Sequence, residues 1–242
     1  MLMPRFFLSR MDETTAYIEG DDARHITKVL RAAPGQEFTL SDGRGVDYIC
    51  AVRELSGALV TLDILSSQPC QSEPKAAIRL YMALPKGDKL ELIVQKAVEL
   101  GASEITPVLT SRCISRPSHK GMEKKLTRLQ RIAYEAAKQS GRGVIPKVSP
   151  LLEFDRAVVQ MTESDLALLF YEQSQVALGQ VLKPDVSSVS LMIGSEGGFS
   201  SAEAEFAQAR GVLTASLGRR VLRCETAPIT ALSVILYHIG EL

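Results

Sequence analysis

Cysteine is scarce in this chain and thinly spread: Cys50, Cys70, Cys113 and Cys224 form no C-x-x-C pair and have no histidine cluster beside them. That pattern speaks against a zinc site, so no metal is expected. The four thiols read instead as reduced packing residues, which suits a reducing compartment. Long apolar runs are missing too. The longest, near Pro228 to Ile239, is too short to span a bilayer, and the start Met1-Leu2-Met3-Pro4-Arg5 lacks the apolar stretch of a signal peptide. The expected location is the cytoplasm. There is no low-complexity tract, and 45% hydrophobic with 23% charged residues is the composition of an ordinary globular protein.

Net charge is absent only in the sum. Over 242 residues, 28 basic side chains balance 28 acidic ones. Between Arg112 and Lys147, however, ten Lys or Arg residues face two acids, Glu123 and Glu135, for a formal +8. Such a segment is the usual electrostatic footprint of polyanion binding, although a solvated helix face is the plainer reading. Eight uncompensated charges repel one another unless something anionic faces them, which puts nucleic acid ahead.

The first seventy or so residues read as short strands, Arg5 to Leu8, Thr15 to Ile18, Glu37 to Ser41, Val46 to Val52 and Leu59 to Leu65, divided by Pro34-Gly35, Asp42-Gly43-Arg44-Gly45 and Ser56-Gly57. Strands at this spacing predict a small barrel or sandwich. One helix, capped by Asp21 or Asp22, interrupts them and turns Ile26, Val29 and Leu30 inward, with His25, Lys28 and Arg31 at its edge. Ser66 to Pro74 is polar, carries two prolines and reads as a linker, so the domain boundary is placed between residues 72 and 73.

Beyond it the grammar is α/β. Strands are expected at Ile78 to Ala83, Ile105 to Leu109, Val144-Ile145, Asp165 to Tyr171, Val189 to Ile193 and Val212 to Ser216. Helices are expected near Asp88 to Leu100, Gly121 to Ser140, Phe154 to Gln160, Ser200 to Arg210 and Thr226 to Ile239. A parallel sheet covered by helices follows, and ligands bind such sheets beyond the carboxyl ends of the strands. Attention therefore falls on the loops after Tyr171, Ile193 and Ser216.

After Ile193 comes Gly194-Ser195-Glu196-Gly197-Gly198-Phe199, then Ser200 with Glu203 three residues on, the spacing of a capping box. Glycines there let a ligand reach main-chain amides, though an isolated Gly-Gly is more often a tight turn. Neither the P-loop Lys-Ser/Thr pair nor G-x-G-x-x-G spacing is present, so those nucleotide-binding classes recede. The next strand leads into Leu217-Gly218-Arg219-Arg220-Val221-Leu222-Arg223-Cys224-Glu225-Thr226-Ala227, where three arginines and a glutamate converge before the last helix.

These two loops resemble the cofactor signature of the SPOUT methyltransferases, and more narrowly the bacterial 16S ribosomal RNA uracil-1498 N3-methyltransferase family. The likeness runs along nearly the whole chain, through Pro4-Arg5-Phe6-Phe7, His25 to Arg31, Lys86-Gly87-Asp88-Lys89, Gln95 to Gly101 and Glu135 to Arg142. One departure is Ser195, where the family commonly has proline; the turn loses rigidity, and slightly weaker cofactor affinity with retained activity is expected.

The resemblance implies an N-terminal PUA-like β-barrel that binds RNA (residues 1–72) and a C-terminal SPOUT parallel-sheet domain (residues 73–242) with a trefoil knot, a cofactor site and a homodimer interface. The knot rests on the resemblance alone, since ordinary folding rules count against it. S-adenosylmethionine would sit across Leu169, Phe170, Tyr171 and Glu172, across Ile193, Gly194, Ser195, Glu196, Gly197 and Gly198, and across Leu217, Gly218, Val221, Leu222 and Thr226. Its sulfonium is already activated, so the chemistry calls for orientation and deprotonation, not a metal.

Arg223, with Arg220 in reserve, is expected to stabilise the uracil anion. Glu225 or Glu172 takes the proton or orients an arginine, while a helix-start carboxylate is an equal account of Glu225. By the same transfer, Arg5, His25, Arg31, Arg112, Lys138 and Arg142 would grip the phosphates of 16S ribosomal RNA, free or in the small subunit; for His25 a structural role is equally good. Two rival readings stay open, a SPOUT enzyme acting on another RNA atom such as a ribose 2′-hydroxyl or guanine N1, and a non-catalytic RNA-binding or ribosome-assembly factor.

Overall fold

The computed structural model describes residues 5–183 and 185–242; Pro4 of the N-terminal motif lies outside them. Two compact units divide the chain. The first contains the residues up to Glu73 together with Ala137–Ile145, and the second contains Pro74–Ala136 with Pro146–Leu242.

In the first unit six strands, β1 (Arg5–Phe7), β2 (Arg10–Met11), β3 (Thr15–Glu19), β4 (Glu37–Ser41), β5 (Val46–Ser56) and β6 (Leu59–Pro69), form a sheet in the order β1-β4-β5-β6-β3-β2. Both edges belong to one stretch of chain. Leu8 N–H donates to the Ser41 carbonyl while Ser9 N–H donates to the Tyr17 carbonyl, so residues 5–11 close the sheet into a barrel and leave no long free edge. Alternate residues point inward and build a core around Phe6, Ile18, Phe38, Leu40 and Leu62, with Ile26 from the helical insert.

That insert corrects two expectations. Helix α1 (Gly20–Arg24) has Glu19 at its N-cap, so Asp21 and Asp22 lie in the first turn and do not cap it. It continues as a π-turn, His25–Val29, in which Leu30 N–H reaches back five residues to the His25 carbonyl. The wider turn rotates Val29 outward, where it is 65% exposed, against the inward position expected of it. Arg31 then ends the helix at φ +50, and Ala32 N–H closes onto the Ile26 carbonyl. A third correction concerns Ser66 to Pro69. These polar residues are no linker but the end of β6, paired with Val46 to Ile49 of β5.

The second unit holds β7 (Ala77–Ala83), β8 (Glu104–Leu109), β9 (Lys147–Val148), β10 (Leu152–Glu153), β11 (Leu166–Phe170), β12 (Ser188–Ile193) and β13 (Leu213–Ala215). All pair in parallel, in the order β10-β8-β7-β12-β11-β13 with β9 beside β8. Val144-Ile145, expected as a strand, carries only a bridge from Val144 to Arg44, and the strand proper begins at Lys147. β11 is apolar on both faces, as a parallel strand covered on two sides must be, and β12 is buried on both faces with Ser190 set among Val189, Leu191, Met192 and Ile193.

The covering helices are α2 (Lys89–Glu99), α3 (His119–Gln139), α4 (Phe154–Met161), α5 (Leu178–Val181), α6 (Ser201–Gln208) and α7 (Thr226–His238). In α2, Leu90, Ile93, Val94, Ala97 and Val98 form the buried stripe, and Gly101 at φ +101 follows its end as a left-handed stop. Among the described residues no helix is long and apolar enough to cross a membrane.

Arg142 and Lys138, expected on RNA phosphates, are engaged within the first unit. Arg142 is 3% exposed and its guanidinium grips the Glu73 carboxylate at 2.6 Å, while Gly143 and Val144 N–H groups donate to the same carboxylate. Lys138 meets Asp22 at 2.7 Å. A phosphate would have to displace a sheltered carboxylate in each case. Truncating one partner of such a pair strands the other, so Arg142→Met is expected to lower the unfolding free energy by about 3 kcal/mol in urea titrations. An unchanged midpoint would show that Glu73 does not need it.

Candidate active site

Register creates the site. Phe170, the last residue of β11, pairs with Ile193, the last of β12, and also with Ala215, the last of β13. Three loops therefore leave the sheet side by side at one level, where the chain order reverses about β7 and β12. Between them lies a cleft of about 570 Å³, a size that suits a nucleoside-sized ligand.

The first loop contributes Phe170, Tyr171 and Glu172 to the walls. The second contributes Ile193, Gly194, Ser195, Glu196 and Gly197. Its turn is closed by Gly198 N–H donating to the Ser195 carbonyl, with Gly198 at φ +62. A Cβ on Gly198 would stand 2.8 Å from a Glu172 carboxylate oxygen, so the glycine is what lets these two loops touch. Gly197 is backed by Arg112, whose guanidinium donates to the Gly197 carbonyl at 3.0 Å. Ser195 is buried, and among the described residues its hydroxyl has no hydrogen-bond partner.

The third loop supplies Leu217, Gly218, Arg220, Val221, Leu222 and Arg223. Four expected residues are not part of the cleft wall, Gly198 at the end of the second loop among them. Leu169 is fully buried in the sheet core beside Met192 and Phe199, as a mid-strand residue pointing away from the tips must be. Thr226 opens α7 as an exposed residue outside the cleft wall, its N–H bonded to the Arg223 carbonyl. Glu225 stands behind the wall at the N-cap of α7.

Sequence reasoning missed Lys89, Arg219 and Cys224, all of which line the cleft. Lys89 Nζ lies 2.7 Å from Glu196 and 3.6 Å from Glu225. The Glu196 carboxylate also accepts the Lys86 N–H. Burial works to raise the Glu196 carboxyl, but hydrogen bonds from Lys89, its own amide and Lys86 hold it below the ordinary range. Glu225 is likewise held low, by its own amide and by the Cys224 thiol. Burial pushes that thiol up to about 12, so it stays a neutral donor. The signal for Lys89 was its position: a lysine opening a helix faces the positive end of the dipole.

Of the remaining RNA candidates, Arg5 is held by Asp47 at 2.7 Å and touches the Cys70 sulfur, so it too is committed within the barrel. His25 is exposed with its ring against Phe6, and Arg31 and Arg112 are exposed. On α3, Lys120, Lys124 and Arg131 are exposed and carry no ion pair among the described residues.

Comparison with known proteins finds a match for each part of the chain. Residues 71–236 match the model of an RNA methyltransferase domain and residues 18–65 that of an RNA methyltransferase PUA domain. The ribosomal RNA small subunit methyltransferase E of Bacillus subtilis is 32% identical, over 98% of this chain and 97% of that protein. Its Synechocystis counterpart is 35% identical, over 92% of this chain and 73% of its own. Among solved structures, that of the Neisseria gonorrhoeae ribosomal RNA small subunit methyltransferase E bound to S-adenosyl methionine superposes with a TM-score of 0.87 at 31% identity, covering 98% of each chain. A methyltransferase from Legionella pneumophila in complex with the same cofactor gives 0.87 at 30% identity, again over 98% of each.

Glu203 fixes the helix behind the second loop. Its carboxylate takes Ser200 N–H and hydroxyl at the start of α6 and Ser111 N–H and hydroxyl after β8, which completes the capping box. Burial raises this carboxyl, yet the four donors outweigh it and hold it below the ordinary range. A depressed carboxyl contributes stability above its unfolded value, lost as pH falls through the folded one. Wild-type protein should therefore lose its advantage over Glu203→Gln as pH drops below about 4.3. Urea midpoints for the two proteins that stay parallel into acid would refute this.

Proposed function

The chain belongs to the RNA methyltransferase family that includes ribosomal RNA small subunit methyltransferase E, and on that footing we propose that it transfers a methyl group from S-adenosylmethionine to N3 of a uridine in 16S ribosomal RNA. The observation that carries this reading is the cleft at the three aligned strand ends, with bare glycine main chain on one wall and arginines on the other. The donor set fits the cofactor. Leu217 and Leu222 offer apolar faces for adenine, and the main chain of Gly194 and Gly197 lines the cleft without a Cβ in the way. Bound there, S-adenosylmethionine supplies a methyl group on a sulfonium already activated for displacement.

The protein has to prepare the nucleophile. Uracil N3 carries an imide proton, and once it leaves the charge spreads onto O2 and O4. Arg223, exposed in the cleft, stabilises that anion, with Arg220 behind it. Glu172 takes the proton. Its carboxylate has no ion pair among the described residues, whereas Glu225 is engaged by Lys89 and the Cys224 thiol. The phosphates of the RNA meet the exposed cations, His25 and Arg31 of the barrel and Lys120, Lys124 and Arg131 of α3. A homodimer forms through α7, where Val234 and Tyr237 leave apolar surface on the side away from the buried face of Pro228, Ala231, Leu232, Ile235 and Leu236. The work is done in the cytoplasm, on the RNA of the small subunit.

Pure protein incubated with labelled methyl donor and unmodified small subunits should place one label at N3 of a single uridine. Label on a ribose or a guanine, or none at all, would overturn the proposal. Arg223→Ala should slow methylation about 100-fold or more while leaving affinity for S-adenosylhomocysteine nearly unchanged. Undiminished turnover removes Arg223 from the chemistry.

A further inference from the structure

Lys89 sits where a cation is least welcome, at the first position of α2, the positive end of the helix dipole. Its surroundings explain the placement. One side chain reaches two carboxylates that belong to different loops, Glu196 of the glycine loop at 2.7 Å and Glu225 at the start of α7 at 3.6 Å. Glu196 is itself fixed from a second direction by the Lys86 amide, and Glu225 by the Cys224 thiol. The ammonium lies 3.7 Å from that thiol sulfur as well. All three charged side chains are about one-quarter to one-third exposed, and Lys89 and Glu196 themselves line the cleft.

We propose that Lys89 is a positioning residue: it clasps the glycine loop to the loop that opens α7, and so holds open a cofactor seat assembled from two separate segments. This rests on the reading of the cleft as the S-adenosylmethionine site. Two carboxylates facing one another without the lysine would repel, and the loops that carry them would part. The cation offsets both, and its raised affinity for the proton, due first to the Glu196 hydrogen bond, keeps it charged through neutral pH. A further consequence is chemical. With Glu196 and Glu225 both tied to the clasp, neither is available to take a substrate proton.

The test is calorimetric titration of S-adenosylhomocysteine into the wild-type protein and into Lys89→Met, Lys89→Arg, Glu196→Gln and the double variant Lys89→Met/Glu196→Gln. Methionine keeps the length and packing of the stem and removes the charge. The dissociation constant should rise about tenfold in Lys89→Met, equivalent to about 1.4 kcal/mol, and recover in Lys89→Arg, whose fork can span both carboxylates. The double variant should bind no worse than Lys89→Met alone, because both changes break one clasp. Circular dichroism on the same samples reports whether each variant is folded. If Lys89→Met binds within twofold of wild type, or arginine fails to restore binding in a folded protein, the clasp is wrong. Absence of binding by the wild-type protein would instead remove the cofactor site itself.

Discussion

Three strand ends held at one height are the constraint on which the rest depends. Because Phe170 is paired on one side with Ile193 and on the other with Ala215, the loops that follow cannot start at different depths. A slip of one residue in β12 would exchange its two faces and also lift the glycine loop away from its neighbours. Ligand recognition is thus built on backbone hydrogen bonds in the most buried part of the sheet, and the side chains of the cleft are refinements upon it. Arg112 and Glu172 approach the glycine loop from outside only because that loop has no side chains at Gly197 and Gly198.

Cations in this protein divide into two kinds. Arg5, Lys138 and Arg142 are spent on Asp47, Asp22 and Glu73 within the barrel unit. Lys120, Lys124 and Arg131 stand in water on α3, with His25 and Arg31 exposed at the end of the barrel's helical insert. Arg31 is held at a positive φ, a conformation that costs a residue with a side chain about 1 kcal/mol or more. A glycine would fit that turn with less strain.

Much of this was legible in the residues. An unbroken apolar run identifies β11 because both sheet faces are covered, and Ser200 with Glu203 identifies the start of α6 because the box needs that spacing. The cleft follows from strand ends followed by glycines. What could not be read depends on who stands opposite. Nothing local says that Arg142 faces Glu73, 69 residues away, or that Lys89 faces Glu196 at a separation of 107. Val29 departs from the helical period because a single π-turn shifts it, and Ser66 to Pro69 stay in a strand because polar residues satisfy their amides in a ladder as well as apolar ones do. Leu169, expected on the wall with its neighbours, is turned to the other side of Phe170 by strand alternation alone.

The segment Ala137–Ile145 has a genealogical consequence. Since it belongs to the barrel unit while both its flanks belong to the other, the chain passes between the units three times rather than once. Neither unit is a contiguous cassette. Recombination that delivered a new N-terminal barrel at a single crossover near residue 73 would bring Glu73 or its replacement without the Arg142 that it has to meet. Exchange between relatives should therefore preserve the two pieces together, and the barrel should drift in step with a short stretch lying some seventy residues downstream of its end.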